Sequence, residues 1–180
     1  MMNFTVAKPD QTEYAEYYGR YVSLVPGVDV LEALSRQLDD TLALLGRIDE
    51  SQAAYRYAPE KWSIRELVGH MIDTERVFAF RALCFARNDA SPLPGYDQNH
   101  YTSNASFDQY PLGELAAEFE HVRRATILMF KHLDEEAWRR RGTANNSEVS
   151  VRALAYIIAG HELHHGEVLR SKYLPHLEAA

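Results

Sequence analysis

A short segment near the end of the chain, residues 160–168, carries three histidines, with a glutamate among them, that could bind a metal ion. It reads G-H-E-L-H-H-G-E-V, and the H-E-L-H-H string that starts at His161 matches the H-E-x-x-H pattern of helical zinc sites. In such sites the outer histidines bind the ion and the glutamate serves as a general base. The chemistry that this segment offers is therefore metal-assisted activation of water or of another nucleophile.

The residues around this string do not fit two familiar kinds of metalloprotein. The extended zinc-protease pattern would need glycine at position 168 and histidine at position 171, where this chain has Val168 and Ser171. A di-iron carboxylate bundle would need two E-x-x-H motifs, and Glu162 with His165 supply one. The string instead predicts a nitrogen-rich site, which suits Zn, Ni or Fe better than Mg or Ca. Glu162 remains a candidate general base beside the metal.

Helical periodicity predicts that two of these histidines face a buried core. At about 100° per residue, one stripe of the helix consists of Val151, Leu154, Ile158, His161, His165 and Val168. His164 falls toward the edge of that stripe. An unpaired polar group in a core costs free energy, whereas two histidines in consecutive turns can share one ion. We therefore predict that His161 and His165 are metal ligands.

A third ligand is expected from another core-facing stripe. Leu67, His70, Thr74, Val77 and Arg81 follow each other at spacings of three and four, so His70 should point inward. Three histidines on two helices, with open positions for water or substrate, are a typical layout for a reactive divalent ion. The remaining histidines outside the H-E-L-H-H string are predicted to lie on the solvated surface: His100, His121, His132 and His176.

Four long helices are predicted to position these residues. Asp29 and Glu32 form a D-x-x-E pair that can satisfy free backbone amides, and S-I-R-E from Ser63 is a capping box. The predicted helices start at Asp29, at Ser63 (ending near Arg87), after Pro111, and after Ser150 (ending near Lys172). This pattern is typical of an all-α protein, most simply a four-helix bundle.

The length of the chain and its lack of strand or repeat patterns predict its domain organisation. A chain of 180 residues predicts one domain, 1–180, with residues 1–27 as an N-terminal extension that includes a short Tyr-rich helix at 11–22. No alternating pattern long enough to predict a strand is present, and no internal repeat is found.

A long connection separates the second and third predicted helices. It spans more than twenty residues and is punctuated by aromatic residues: Tyr96, Tyr101, Phe107 and Tyr110. This composition favours an ordered crossover, and a packed crossover and a lid over a site both fit it. Asp97 and Tyr101 are candidates for lining the mouth of a pocket, where they would contact a cofactor or substrate, or for ordinary packing.

Two arginines lie on or beside inward-facing stripes, Arg81 in the second helix and Arg123 in the third. One interpretation is a buried ion pair or a hydrogen bond to a loop carbonyl. The other is a cationic anchor for a carboxylate on a substrate or thiol cofactor. The single cysteine, Cys84, has apolar neighbours and is predicted to be an inert thiol.

Composition argues against several classes of partner. The net charge of −7, without a long run of Lys or Arg, disfavours nucleic-acid binding. No apolar stretch reaches the roughly 18 residues needed to span a bilayer. The N-terminus has no signal-peptide pattern, and one cysteine excludes an intramolecular disulfide. These features predict a cytoplasmic protein that acts on a small molecule, with no nucleic-acid or membrane partner.

Three segments resemble the DinB/YfiT superfamily. They are K-W-S-I-R-E-L-V-G-H-M-I-D-T-E-R (61–76), P-L-P-G-Y-D-Q-N-H-Y (92–101) and I-A-G-H-E-L-H-H-G-E-V-L (158–169), and the likeness covers most of the chain after residue 28. The resemblance implies a four-helix bundle that holds one divalent ion through three histidines. By position these are His70, His161 and His165, the residues that the helical stripes also indicate.

The resemblance also suggests a reaction class. Better-studied relatives are thiol-dependent enzymes, namely transferases that join bacillithiol to electrophiles and a maleylpyruvate isomerase that uses mycothiol. In such enzymes the metal would bind a low-molecular-weight thiol cofactor and favour its reactive thiolate. Bundles of this family often pair through helix faces, so a homodimer is compatible with the resemblance.

Three hypotheses about function follow. The leading one is a divalent-metal-dependent enzyme, with Zn or Ni preferred and Fe as an alternative, that transfers a bacillithiol-like thiol to a small electrophile or hydrolyses such an adduct. The second is a hydrolase that uses metal-bound water with Glu162 as the base. The third is a stress-associated metal-binding or interaction module without catalytic activity. Dependence on a thiol separates the first two, and metal-dependent turnover separates both from the third.

Overall fold

Capping residues set the starts of the four long helices. The computed structural model describes residues 5–27, 29–89 and 91–177, and these residues form a mainly helical, all-α fold. Its long helices are α2 (Val30–Leu45), α3 (Ile64–Ala86), α5 (Leu112–Lys131) and α7 (Val151–Val168). The side chains of Asp29, Ser63 and Ser150 each accept a hydrogen bond from a backbone amide in the first turn, and Glu66 completes the capping box at Ser63. The four predicted helices and the predicted fold class are confirmed.

The long helices pack so that the two histidine-bearing helices are neighbours. Helices α2 and α3 each contact both α5 and α7, and the most extensive pairing is between α3 and α7. His70 on α3 and the histidines of α7 therefore face each other across one interface. The predicted single domain 1–180 includes residues 1–4, 28, 90 and 178–180, which lie outside the described ranges.

The buried core consists of two apolar clusters with polar residues between them. One cluster contains Phe78 and Phe85 of α3 with Val151 and residues 153–159, and the other contains Ile64 and Leu67 with Leu169. Between these clusters each long helix contributes buried polar side chains. We call this set the polar layer; it consists of Thr41, His70, Thr74, Glu75, Arg123, His161, Glu162 and His165.

The N-terminal segment is less regular than predicted, and it packs against α7. The expected helix at 11–22 is replaced by two 3₁₀ turns, Gln11–Glu13 and Glu16–Tyr18, followed by the short helix α1 (Gly19–Val22). Where α1 crosses α7, a Cβ atom on Gly160 would lie 2.0 Å from the carbonyl oxygen of Tyr21. Glycine is therefore needed at this crossing, directly before His161.

A small hairpin contradicts the expectation that the chain has no strands. Strands β1 (Arg141–Ala144) and β2 (Ser147–Ser150) pair antiparallel, with Gly142 opposite Val149. Asn145 and Asn146 form its turn with φ of 51° and 59°, the left-handed region that asparagine tolerates and that two-residue hairpins need. The sequence prediction failed because each strand is only four residues long.

The connection between α3 and α5 is a packed crossover. It contains α4 (Gln98–Asn104) and a 3₁₀ turn, Phe107–Gln109, and the ring of Phe107 occupies the space above Gly69. Leu93 exchanges backbone hydrogen bonds with the hairpin, donating to Thr143 and accepting from Asn145. The crossover is thus fixed to both α3 and the hairpin.

Three short elements complete the described chain. Helix α6 (Glu135–Arg139) precedes the hairpin, and α7 continues through a π-helical turn, Leu169–Tyr173, into α8 (Leu174–Leu177). Within the described ranges, every helix is too short or too polar to cross a membrane.

Candidate metal centre

Three buried histidines converge between α3 and α7. The Nε2 atom of His161 lies 3.0 Å from Nε2 of His70 and 3.1 Å from Nε2 of His165. One ring nitrogen from each residue can be chosen so that all three lie within 4.8 Å of one another. We call His70, His161 and His165 the histidine triad. His161 and His165 lie on consecutive turns of α7, and His70 lies on the facing stripe of α3, as the sequence predicted.

Burial keeps the triad uncharged at neutral pH. Desolvation, with a smaller contribution from His164, lowers the pKa of His70 to about 4. Burial and the neighbouring histidines also hold the pKa values of His161 and His165 well below the ordinary value. A neutral imidazole keeps a lone pair on one nitrogen, which is the form that binds a metal ion.

The spacing of the triad fits a single divalent ion. Three nitrogens at the usual zinc–nitrogen distance around one tetrahedral ion would lie about 3.3 Å from each other. The two measured Nε2 separations are close to this value, and the donor set is all nitrogen. Imidazole donors suit Zn, Ni, Cu or Fe, so the residues present fit the predicted kind of metal.

Hydrogen bonds outside the triad orient His70. The hydroxyl of Thr74 lies 3.4 Å from Nδ1 of His70, and it also hydrogen-bonds the hydroxyl of Tyr96. If Nε2 of His70 carries the lone pair, Nδ1 carries the proton and donates it to Thr74. The ring of Trp62 covers His70 at 4.5 Å between centroids. By contrast, the buried Nδ1 of His165 has no hydrogen-bond partner among the described residues.

Glu162, the candidate base, belongs to a buried ion-pair network. Its Oε1 accepts a 2.6 Å hydrogen bond from Thr41, and its Oε2 pairs with Nη1 of Arg123. Arg123 also binds Glu75 through Nε and Nη2, the latter at 2.7 Å. Burial raises the pKa of Glu162, although Arg123 opposes this. Both oxygens of Glu162 are thus engaged.

Arg123 lies inside the bundle and away from open space. Only 1% of its surface is exposed, and its guanidinium meets two carboxylates and the carbonyl of Leu34. Burial by itself would lower the pKa of Arg123, but Glu162 and Glu75 raise it on balance. Of the two interpretations drawn from the sequence, the structure shows the buried ion pair for Arg123.

A cavity of about 500 Å³ opens beside His161. Arg81 lines it and donates a 2.8 Å hydrogen bond to the carbonyl of Pro94, but no described carboxylate pairs with Arg81. Asp97 also lines the cavity while it caps α4 through the amide of Asn99 at 2.9 Å. Tyr101 is 45% exposed and packs on Tyr96, outside this cavity.

Aromatic side chains make up much of the cavity wall: Tyr17, Tyr18, Tyr21, Phe78 and Tyr96. Tyr21 packs edge-on against the ring of His161 at 5.4 Å between centroids. Thr74, Tyr96 and Tyr21 also line the cavity, and the sequence did not predict them as candidate site residues. Thr74 could have been found because it follows His70 by one helical turn, whereas the tyrosines reach the site through contacts distant in sequence.

A protein-family model matches most of the chain. The family model of the DinB superfamily matches residues 33–169, a range that contains the whole histidine triad. The chain belongs to the DinB superfamily. The resemblance drawn from the three sequence segments is therefore confirmed. No curated protein matches this DinB-superfamily chain.

Solved structures share the fold. YfiT from Bacillus subtilis, a probable metal-dependent hydrolase with an unusual four-helix bundle topology, is 16% identical, with 91% of each chain covered and a TM-score of 0.64. A mycothiol-dependent maleylpyruvate isomerase is 13% identical, with a TM-score of 0.63. The match covers 76% of this chain and 58% of the isomerase. The DinB-like protein YjoA from Bacillus subtilis is 23% identical, with coverages of 78% and 85% and a TM-score of 0.56.

Proposed function

We propose that this DinB-superfamily protein is a divalent-metal-dependent enzyme that acts on a small electrophile held in the 500 Å³ cavity. The observation that carries the proposal is the convergence of three buried, uncharged imidazoles, one of which, His161, lines that cavity. His70, His161 and His165 would hold the ion. A bound divalent ion would act there as a Lewis acid that favours the deprotonated form of a thiol or of water.

Residues of the cavity supply binding and orientation. Arg81 would pair with an anionic group of the substrate, because its guanidinium is nearly buried, lines the cavity and has no carboxylate partner among the described residues. The aromatic wall would pack against a planar or apolar part of the substrate. The hydroxyl of Tyr96 would donate a hydrogen bond toward the reacting group, and Asp97 would lie at the mouth.

We favour transfer of a low-molecular-weight thiol over hydrolysis with Glu162 as the base. Both oxygens of Glu162 are engaged by Thr41 and Arg123, so a base at this position would first have to leave a buried ion pair. A mycothiol-dependent isomerase among the similar structures supports a thiol, and YfiT keeps hydrolysis as the alternative. A cytoplasmic location, a homodimer and the absence of nucleic-acid and membrane partners remain predictions from the sequence.

Metal content per chain tests the proposed centre. We expect about one equivalent of a divalent metal in tag-free wild-type protein and almost none in His70→Ala, because a three-ligand site loses one ligand. His121→Ala is a suitable control, since His121 lies exposed on α5, away from the triad. Retention of metal by His70→Ala would remove His70 as an essential ligand. No metal in the wild type, even after Zn or Ni is added, would refute the metal centre and favour an interaction module without catalytic activity.

Activity is tested with the same proteins. Consumption of a thiol by a small electrophile should require metal, should be lost in His70→Ala, and should survive in His121→Ala. Metal-dependent turnover of an ester or amide without any thiol would instead support hydrolysis.

A further inference from the structure

A second cavity reaches the histidine triad by a different route. It has a volume of about 260 Å³ and is lined by His164 and His165, whereas the larger cavity is lined by His161. Gln98 of α4 is the one described residue that lines both. Two molecules could therefore approach the triad together without occupying the same space.

The walls of the smaller cavity combine aromatic surface with charges of both signs. Trp62 and Tyr173 form part of its wall, and the hydroxyl of Tyr173 donates a 2.7 Å hydrogen bond to the carbonyl of Trp62. Glu60 and Lys61 lie exposed at the cavity, and neither side chain has an ion-pair partner among the described residues. Asn99 adds a side-chain amide. A small molecule with both an ammonium and a carboxylate group would match these walls.

The larger cavity selects for a different molecule. Its charged side chains near the triad are the nearly buried Arg81 and the capping residue Asp97, whose carboxylate already accepts backbone hydrogen bonds. Its aromatic wall suits a planar group, and Arg81 suits an anion. The two cavities thus have distinct chemical preferences, which an enzyme that uses one organic substrate and water would not need.

We propose that the smaller cavity binds a low-molecular-weight thiol of the amino-acid type, with its sulfur toward His165, while the larger cavity holds the electrophile. This inference rests on the proposed function and specifies where its two substrates bind. In the transfer, the sulfur electron pair forms the new sulfur–carbon bond. The leaving group departs with the electrons of the bond that breaks, and the thiol proton passes to water.

Cobalt-loaded protein and L-cysteine provide the test. A thiolate on Co²⁺ gives a charge-transfer absorption band, so cysteine binding is measured without any turnover. Asn99→Trp and Val168→Trp would each fill the smaller cavity, and Ser147→Trp would fill the larger one. We expect the first two to weaken cysteine binding by about tenfold or more, because contacts and space are lost, and Ser147→Trp to leave it within about twofold. Cobalt stoichiometry and circular dichroism check that each variant is folded.

Each outcome decides between defined alternatives. An equal or larger loss of cysteine binding in Ser147→Trp would overturn the assignment and place the thiol in the larger cavity. Unchanged binding in both Asn99→Trp and Val168→Trp would also overturn it, as would the absence of a cysteine-dependent band in cobalt-loaded wild type. Failure to bind cobalt is seen before thiol is added; it would refute the metal centre, and this inference with it.

Discussion

Thr74 shows how a single hydroxyl can set the chemistry of the triad. It lies between His70 and Tyr96, so one side chain connects a proposed metal-ligand histidine to the cavity. An acceptor at Nδ1 fixes which nitrogen of His70 carries the proton and keeps Nε2 available for a metal ion. We therefore propose that Thr74 is a positioning residue for His70.

We predict that Thr74→Val weakens metal binding by about tenfold or more, the usual effect of removing an outer partner of a ligand histidine. Valine keeps the shape of the side chain but cannot accept the proton of His70. Zinc affinity, measured by competition with a chelating indicator, tests this. Thr126→Val is the matched control, because Thr126 is equally buried and has no described contact with the triad. Equal affinities in the two variants would contradict the role of Thr74.

At the scale of elements, the site depends on how closely α1 approaches α7. Gly160 permits that contact, and the same contact brings Tyr21 against His161. We predict that Gly160→Ala lowers the free energy of unfolding by about 1–3 kcal/mol, because a methyl group would collide with the backbone of Tyr21.

Urea unfolding measures this effect, and Gly113→Ala is its control. A Cβ atom at Gly113 would meet no atom within 4 Å, and alanine is the better helix former there. Gly113→Ala should therefore be neutral or stabilising. A Gly160→Ala protein as stable as the Gly113→Ala protein would show that α1 can move away from α7 at little cost.

How far the sequence could predict these elements depends on the range of the interactions. Caps at Asp29, Ser63 and Ser150 and apolar spacing along each helix are local signals, so they predicted the four helices and the inward direction of the triad. The hairpin turn at Asn145 and Asn146 was missed because four-residue strands show too little alternation. The docking of α1 was missed because it depends on a contact between residues far apart in the chain.

At the scale of the whole molecule, buried histidines make stability depend on pH when no metal is bound. The pKa of His70 is about 4 in the folded protein against 6.5 for an ordinary histidine, so the unfolded chain binds more protons between these values. The contribution of His70 to the free energy of unfolding is therefore fully present above about pH 6.5 and is lost as the pH falls. His161 and His165 act in the same direction.

We predict that metal-free protein loses stability between pH 6.5 and 4, with up to about 3 kcal/mol from His70 alone. Urea unfolding at several pH values tests this prediction. His70→Gln should show a shallower dependence, since glutamine does not titrate. His132→Gln keeps a native triad, so its dependence should equal that of wild type. A wild-type curve no steeper than that of His70→Gln would contradict the prediction.

The polar layer has a further consequence, for the axial alignment of the helices. Apolar cores tolerate sliding, because one leucine replaces another at similar cost. In this bundle, moving one long helix by a single turn, about 5.4 Å, would bring charged or imidazole groups opposite leucines and leave Glu75 and Glu162 without Arg123. The polar layer therefore fixes the axial register of the helices, because it makes one alignment much lower in energy than its neighbours. The residues proposed to do the chemistry, and those that fix the helices lengthwise, share one cross-section of the protein.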